Sequence, residues 1–141
     1  MNATRRTVLI AGALSAITAL SFSSAVFAAS DLVEVQSLNA ANKPITVAVP
    51  KNPQRIAVAD FSVLDTLDHW GLGERIVALP QTTALPYLPQ YFKKSKKVTN
   101  LGTLKEIDLE GLMAADPDVI FISGRLAKKY DELSKIAPVV F

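Results

Sequence analysis

The stretch from Asn100 to Arg125 constrains the fold more than any other part of the chain. Apolar residues at 107, 109, 112 and 113 recur at helical spacing, and Asp116-Pro117 ends that helix, because a proline disfavours helical backbone in the residue before it. Residues 119–122 then form a continuous apolar run, which is typical of a strand buried on both faces. A helix followed by such a strand predicts an α/β protein with a mainly parallel sheet.

The same alternation recurs before and after this stretch. Residues 55–59 and 75–79 are predicted strands, and a helix over residues 61–70 joins them, with Asp60 as its N-terminal cap. A strand–helix–strand unit of this kind implies parallel pairing and a right-handed crossover. The pattern also predicts a short strand at 98–99, a helix over 126–136 and a strand over 138–141. Trp70 and the leucine stripe of the first helix are expected in the core.

The residues before this unit have a different pattern. Residues 32–36 alternate between apolar and polar side chains, and residues 44–49 do so again after a turn cluster at 39–42. This arrangement predicts an N-terminal β-hairpin. We therefore expect three parts: a signal peptide over residues 1–28, a hairpin over 29–52 and an α/β lobe over 53–141.

The first 28 residues have the composition of an export signal. Arg5 and Arg6 precede an uncharged apolar run, which ends at Ala28 in small residues suited to a signal peptidase. A membrane anchor is the alternative, and the arginine pair also resembles a twin-arginine signal. Cleavage after Ala28 would release the mature chain after export.

Charge and cysteine content exclude several classes of function. Cleavage after Ala28 would remove two of the 15 basic residues and none of the 13 acidic ones, so the mature chain would be neutral and does not have the basic excess of a nucleic-acid-binding protein. Cysteine is absent, which excludes a disulfide framework, a thiolate metal site, a cysteine nucleophile and a lipid-modified N-terminal cysteine.

A ligand site is expected where the strands end. Arg125 leaves the carboxyl end of the strand at 119–122, which is the edge where open α/β sheets bind ligands. Residues 80–91 contain three prolines and form an irregular loop after another strand, so we expect this loop beside the one that carries Arg125. Tyr87 is a second candidate, as a stacking ring or a packing residue, and Thr83 and Thr103 are candidates at the rim.

Several segments resemble one family when they are taken together. They are Pro53–Val58, the helix end at 65–73, the Leu-Pro-Tyr-Leu-Pro sequence at 85–89, the Gly-Thr-Leu-Lys-Glu sequence at 102–106, the Ile-Ser-Gly-Arg sequence at 122–125 and the end of the chain at 136–141. In this order they resemble the periplasmic substrate-binding proteins for iron–siderophore complexes and vitamin B12. The sequences at 85–89, 102–106 and 122–125 are most similar to those of proteins that bind ferric catecholate siderophores.

The resemblance implies a fold and a function. It implies two α/β lobes joined by a long helix, with the ligand between them, and this chain matches the first lobe alone. The implied activity is binding of a ferric siderophore in the periplasm for an ABC importer, with Arg125 contributing to an arginine cluster around the ligand. The siderophore itself holds the iron, so no protein cofactor or metal site is expected. The implied partner is an inner-membrane permease, and Asp131 and Glu132 are candidates for docking to it.

Three alternatives stay open. The ligand could be haem or a cobalamin, which would need a broader and more apolar pocket. The chain could also be an interaction module or a lobe with no ligand of its own. An enzyme is disfavoured, because no nucleotide-binding or hydrolase motif is present and His69 is the single histidine. We expect a monomer.

Overall fold

The computed structural model describes residues 31–92 and 98–141. The predicted signal peptide and the lysine-rich segment at 93–97 lie outside these residues. None of the helices in the described residues is long and apolar enough to cross a membrane.

A β-hairpin opens the described chain. Strands β1 (Leu32–Leu38) and β2 (Pro44–Pro50) pair antiparallel, with Val35 opposite Val47. At the turn the Asn39 side chain accepts hydrogen bonds from the backbone N–H groups of Ala41 and Lys43, at 2.9 and 3.0 Å. This is the side-chain-to-backbone turn chemistry for which asparagine is favoured. The predicted hairpin is confirmed, with longer strands.

Five parallel strands form one sheet in the described part of the chain. They are β3 (Ile56–Val58), β4 (Ile76–Leu79), β5 (Thr99–Asn100), β6 (Val119–Phe121) and β7 (Val139–Val140). Their order across the sheet is β5-β4-β3-β6-β7. The predicted fold class, an α/β lobe with a parallel sheet after an N-terminal hairpin, is confirmed.

Helices cover both faces of this sheet. The α-helices are α1 (Phe61–His69), α2 (Leu109–Ala114) and α3 (Tyr130–Leu133). Short 3-10 helices span Gly73–Arg75, Pro89–Tyr91 and Gly124–Lys129. One core cluster lies beneath α1 and the loop after β4, where Leu64, Leu67 and Tyr91 are buried. A second lies beneath α2 and α3, around Leu112 and Leu133.

Two details of the sequence prediction are wrong. The helix expected over 126–136 consists of a 3-10 helix followed by α3, which ends at Leu133, although Leu126, Tyr130 and Leu133 are buried as their spacing predicts. Trp70 is not in the core, since 67% of its surface is exposed. It is the C-cap of α1, one residue beyond the end of the helix.

A hydrogen bond of the Ser37 side chain links the hairpin to the end of the last strand. Ser37 is the single buried polar residue of the described chain, at 6% exposure. Its hydroxyl accepts a 2.9 Å hydrogen bond from the N–H of Phe141 and lies 3.5 Å from the carbonyl oxygen of the same residue. This contact joins β1 to the residue that follows β7.

Candidate ligand-binding site

The strand order places a crevice between β3 and β6. The chain goes from β3 outward to β4 and β5, and then returns to the other side of β3 as β6 and β7. The connections after β3 and β6 therefore leave the sheet in opposite directions. Open α/β sheets bind ligands at such a switch point, outside the carboxyl ends of the strands. The candidate site is built from the loops at this edge.

Arg125 lies at this edge, as the sequence predicts. Ile122 and Ser123 continue from β6, and Arg125 is the second residue of the 3-10 helix Gly124–Lys129. The residue is exposed. Within the described residues no ion pair or side-chain hydrogen bond engages its guanidinium. Its planar fork of donors is therefore available to an anion.

Asp60 lies on the other side of the switch point and caps α1. Its Oδ1 accepts hydrogen bonds from the N–H groups of Ser62 at 2.8 Å and Val63 at 3.3 Å, and also from the Ser62 hydroxyl. The buried Ser123 hydroxyl also lies near this carboxylate, but the two groups do not meet the criteria for a hydrogen bond. Burial alone would raise the pKa of Asp60, but these donors outweigh burial and hold the pKa below its usual value. The capping role predicted for Asp60 is confirmed, and its charge is directed into the helix N-terminus.

Two candidates lie in the loop after β4. Thr83 is exposed, and Tyr87 is exposed over 64% of its surface. The loop is nevertheless anchored, because Leu88 and Tyr91 are buried in the core beneath α1 at 5% and 1% exposure. Tyr87 thus presents its ring to solvent from an anchored loop, rather than packing in the core.

Thr103 lies in the loop after β5, but its hydroxyl is already engaged. Its Oγ1 accepts hydrogen bonds from the N–H groups of Lys105 at 3.1 Å and Glu106 at 2.8 Å. It therefore shapes the turn that follows Gly102. Little of its hydrogen-bonding capacity is left for a ligand.

The sheet order changes how these candidates relate to one another. The sequence predicted that the loop after β4 would lie beside the loop that carries Arg125. Strand β3 lies between β4 and β6, so the two loops leave strands that are not neighbours, and their proximity stays a prediction. With neighbouring strands about 4.8 Å apart, the ends of β4 and β6 are about 10 Å apart. Tyr87, Thr83 and Thr103 thus follow strands on one side of β3, and Arg125 follows a strand on the other side.

Sequence reasoning missed two residues that organise the β4 and β5 side. Asn100 Oδ1 accepts a hydrogen bond from the N–H of Gln81 at 3.1 Å, and Gln81 Nε2 donates to the carbonyl oxygen of Val98 at 3.2 Å. These bonds connect the two loops directly. The available signal was position: Asn100 is the last residue of a strand, and Gln81 is the second residue after one.

The docking candidates lie together on α3. Asp131 and Glu132 are both exposed. Glu132 forms an ion pair with Lys129 at 2.9 Å. No ion pair of Asp131 is recorded within the described chain, so Asp131 is the more accessible negative charge of the two.

Acidic and histidine side chains do not converge on a metal-binding cluster within residues 31–92 and 98–141. His69, at the last turn of α1, is exposed.

Comparison with known proteins identifies the family. Residues 56–141 match the model of a family described as "Periplasmic binding protein". The petrobactin-binding protein YclQ of Bacillus subtilis is 43% identical over 93 residues, which are 66% of this chain and 29% of that protein. The ferric-anguibactin-binding protein FatB of Vibrio anguillarum is 28% identical over 92 residues, 65% of this chain and 28% of that protein.

Solved structures agree with these matches. The crystal structure of the B. subtilis petrobactin-binding protein superposes with a TM-score of 0.68 at 37% identity, covering 77% of this chain and 37% of that one. The periplasmic catecholate-siderophore-binding protein VctP of Vibrio cholerae superposes with a TM-score of 0.62 at 33% identity, over 77% of this chain and 37% of that one. The chain thus spans about a third of the length of the proteins it matches. It belongs to the periplasmic binding protein family, as its sequence resemblance predicts.

Proposed function

We propose that this chain acts in the solute-binding component of an ABC importer and binds a ferric siderophore in the periplasm. The observation that carries the proposal is Arg125, which is exposed, has no partner in the described residues and lies beside the switch point of the sheet. Its position is the one in which this fold class binds ligands. The proteins that the chain resembles are named for binding siderophores, not for catalysis.

The chemistry of the edge favours an anionic ligand with flat faces. A ferric catecholate spreads negative charge over several oxygens and presents aromatic rings. Arg125 suits both features, because a guanidinium stays charged, donates in a plane and stacks on rings. The exposed ring of Tyr87, in the loop that follows β4, offers a second stacking surface. We therefore propose the catecholate class as the ligand.

The wider setting follows from the same proposal. Residues 1–28 would act as the export signal, cleaved after Ala28, followed by the hairpin over 29–52 and one lobe over 53–141. A second lobe would face the edge that carries Arg125 and contribute further arginines. A permease of the inner membrane would be the protein partner, approached by the acidic face of α3, and the binding component would work as a monomer.

Calorimetric titration of the protein with the iron(III) complex of a tris-catecholate tests the proposal. We expect binding that Arg125→Ala weakens about tenfold, because a charge-assisted hydrogen bond and its charge are lost together. Arg125→Lys should recover part of the affinity, since lysine keeps the charge without the planar fork. Lys135→Ala is the matched control, which removes one exposed positive charge after α3 and should leave binding unchanged.

Two results would contradict the proposal. One is a titration with the tris-catecholate complex that gives no heat of binding. The other is an equal affinity of the unmodified protein and Arg125→Ala for this complex. A parallel titration with haem and with a cobalamin distinguishes the other ligand classes of the family. Tryptophan fluorescence is a poor substitute, because Trp70 follows the far end of α1, at the opposite edge of the sheet.

A further inference from the structure

Asn100 holds its side chain in one orientation at the candidate edge. It is the last residue of β5, opposite Leu79 of β4. Its Oδ1 accepts two hydrogen bonds, from the N–H of Gly102 at 2.9 Å and from the N–H of Gln81 at 3.1 Å. One acceptor atom thus joins the connections that follow two neighbouring strands.

Both partners of Asn100 are donors, and this settles which way the amide points. The reverse orientation would place the Nδ2 hydrogens against two N–H groups, which cannot accept them. The oxygen must therefore face the backbone, and the Nδ2 group points away from it. Asn100 is exposed, and the described residues provide no acceptor for its Nδ2. Within the described part of the chain, the two Nδ2 hydrogens therefore have no partner at the carboxyl edge.

The surrounding backbone keeps this donor in place. Gly102 has φ +81°, a conformation that favours glycine, and a side chain there would lie 3.1 Å from the carbonyl oxygen of Glu106. Gln81 is held by its own bond to Val98. A donor fixed in this way loses little conformational freedom when a ligand binds.

We propose that the Asn100 side-chain amide is a ligand-binding donor, which hydrogen-bonds an oxygen of the anionic ligand on the β5 side of the edge. This inference rests on the proposed function and adds a residue to it. Strand β6, after which Arg125 lies, is three strand spacings from β5, about 14 Å, so the two residues would contact opposite sides of one bulky complex. Thr103, the candidate in the same loop, already uses its hydroxyl within the turn.

Asn100→Asp separates the donor from its structural role. An aspartate keeps an oxygen acceptor for the N–H groups of Gln81 and Gly102, but it replaces the outward donor with an acceptor that carries negative charge. Asn52→Asp is the matched control: Asn52 precedes β3 at the opposite edge, and its Oδ1 accepts a 2.5 Å hydrogen bond from Arg75. Both variants should melt within about 2 °C of the unmodified protein, since each keeps its acceptor.

Binding of the iron(III) tris-catecholate complex should fall at least tenfold in Asn100→Asp and less than twofold in Asn52→Asp. Asn100→Ala, which removes both the donor and the Oδ1 acceptor without adding charge, should bind about fivefold more weakly. Unchanged affinity in Asn100→Asp or Asn100→Ala, beside normal binding by the unmodified protein, would overturn this inference alone. A lack of binding by the unmodified protein would overturn the proposed function and this inference with it.

Discussion

The Tyr91 hydroxyl donates a 2.5 Å hydrogen bond to Oδ1 of Asp68, and so joins the loop after β4 to the last turn of α1. Tyr91 is 1% exposed, and Gln90 donates to the same Asp68 oxygen at 3.1 Å. The loop that carries Tyr87 and Thr83 is therefore held by a charge-assisted bond beneath its surface. Burial first, and then the Asp68 carboxylate, raise the pKa of Tyr91 above its ordinary value.

Tyr91→Phe should lower the free energy of unfolding by about 1.5–3 kcal/mol, because Asp68 loses its shortest donor. The effect should depend on pH. The raised pKa means that the folded state keeps the phenol proton where the unfolded state releases it, so this stability is present below about pH 10 and is lost as the pH rises further. Urea unfolding between pH 7 and pH 11 measures both effects.

The phenylalanine variant should show a shallower alkaline decline than the unmodified protein. Part of the decline will remain, since burial and Asp131 raise the pKa of Tyr130 in the same direction. Parallel alkaline curves for the two proteins would show that the proton of Tyr91 does not stabilise the fold.

Gly73→Ala should disrupt the same contact from the other side. A methyl group at Gly73 would lie 2.0 Å from the Tyr91 hydroxyl oxygen and 3.1 Å from its ring carbon Cζ, so the ring would have to move away from Asp68. We expect a loss of about 1–3 kcal/mol in unfolding free energy. Gly124→Ala is the control, because a methyl group there would have nothing within 4 Å and the φ of Gly124 is not positive. Equal stability of the two variants would contradict the packing argument.

Asp60→Asn should separate the capping role of this residue from its charge. Asparagine caps helices about as well as aspartate, so the unfolding free energy at pH 7 should change by less than about 1 kcal/mol. Removing a negative charge beside the switch point should raise affinity for an anionic ferric siderophore about two- to threefold. Calorimetric titration measures the affinity, and unchanged binding would place the ligand away from Asp60.

Asp60 also makes the unfolding free energy depend on pH in the acid range. Its pKa is lowered in the folded state, so its contribution is present above its ordinary pKa, near 4, and is lost as the pH falls below that value. Asp60→Asn should therefore lose less stability between pH 5 and pH 2 than the unmodified protein. An acid unfolding curve identical to that of the unmodified protein would contradict this assignment.

Charge reversal on α3 tests the proposed permease contact. Asp131→Lys together with Glu132→Lys should weaken binding to the permease without weakening siderophore binding. Asp131→Lys alone should account for most of the loss, because Glu132 is already paired with Lys129. The affinity of each variant for the permease, held in nanodiscs, measures the effect. Glu34→Lys, on the exposed face of the hairpin, is the control. The docking hypothesis is wrong if the double variant binds permease normally.

The elements of this fold were predictable because their signals are local. Asp60 is followed by an apolar stripe at helical spacing, and its cap on α1 forms as expected. The strands at 56–58, 76–79 and 119–121 have the apolar runs of a doubly covered sheet, and Arg125 follows one of them directly. These features depend on neighbours within a few residues along the chain.

The arrangement of the site was less predictable, because it depends on strand order. The sequence shows that the loop after β4 and the loop after β6 reach the same edge, but not that β3 separates them. It also gives no sign that the Thr103 hydroxyl is engaged by Lys105 and Glu106. Trp70 shows the same limit for burial, since a large apolar side chain just past a helix end can face either solvent or core.

The bond between Ser37 and Phe141 has a consequence for the order of folding. The two residues are 104 positions apart, so the buried hydroxyl of Ser37 has its partner only when nearly the whole described chain is in place. Contacts of such long range form slowly, because the intervening chain must first be ordered. The hairpin is the first described element to leave a ribosome or a translocation channel, yet this bond cannot form until Phe141 is in place. The two-stranded hairpin, which alone would be marginally stable in water, gains this bond only when β7 has joined the sheet.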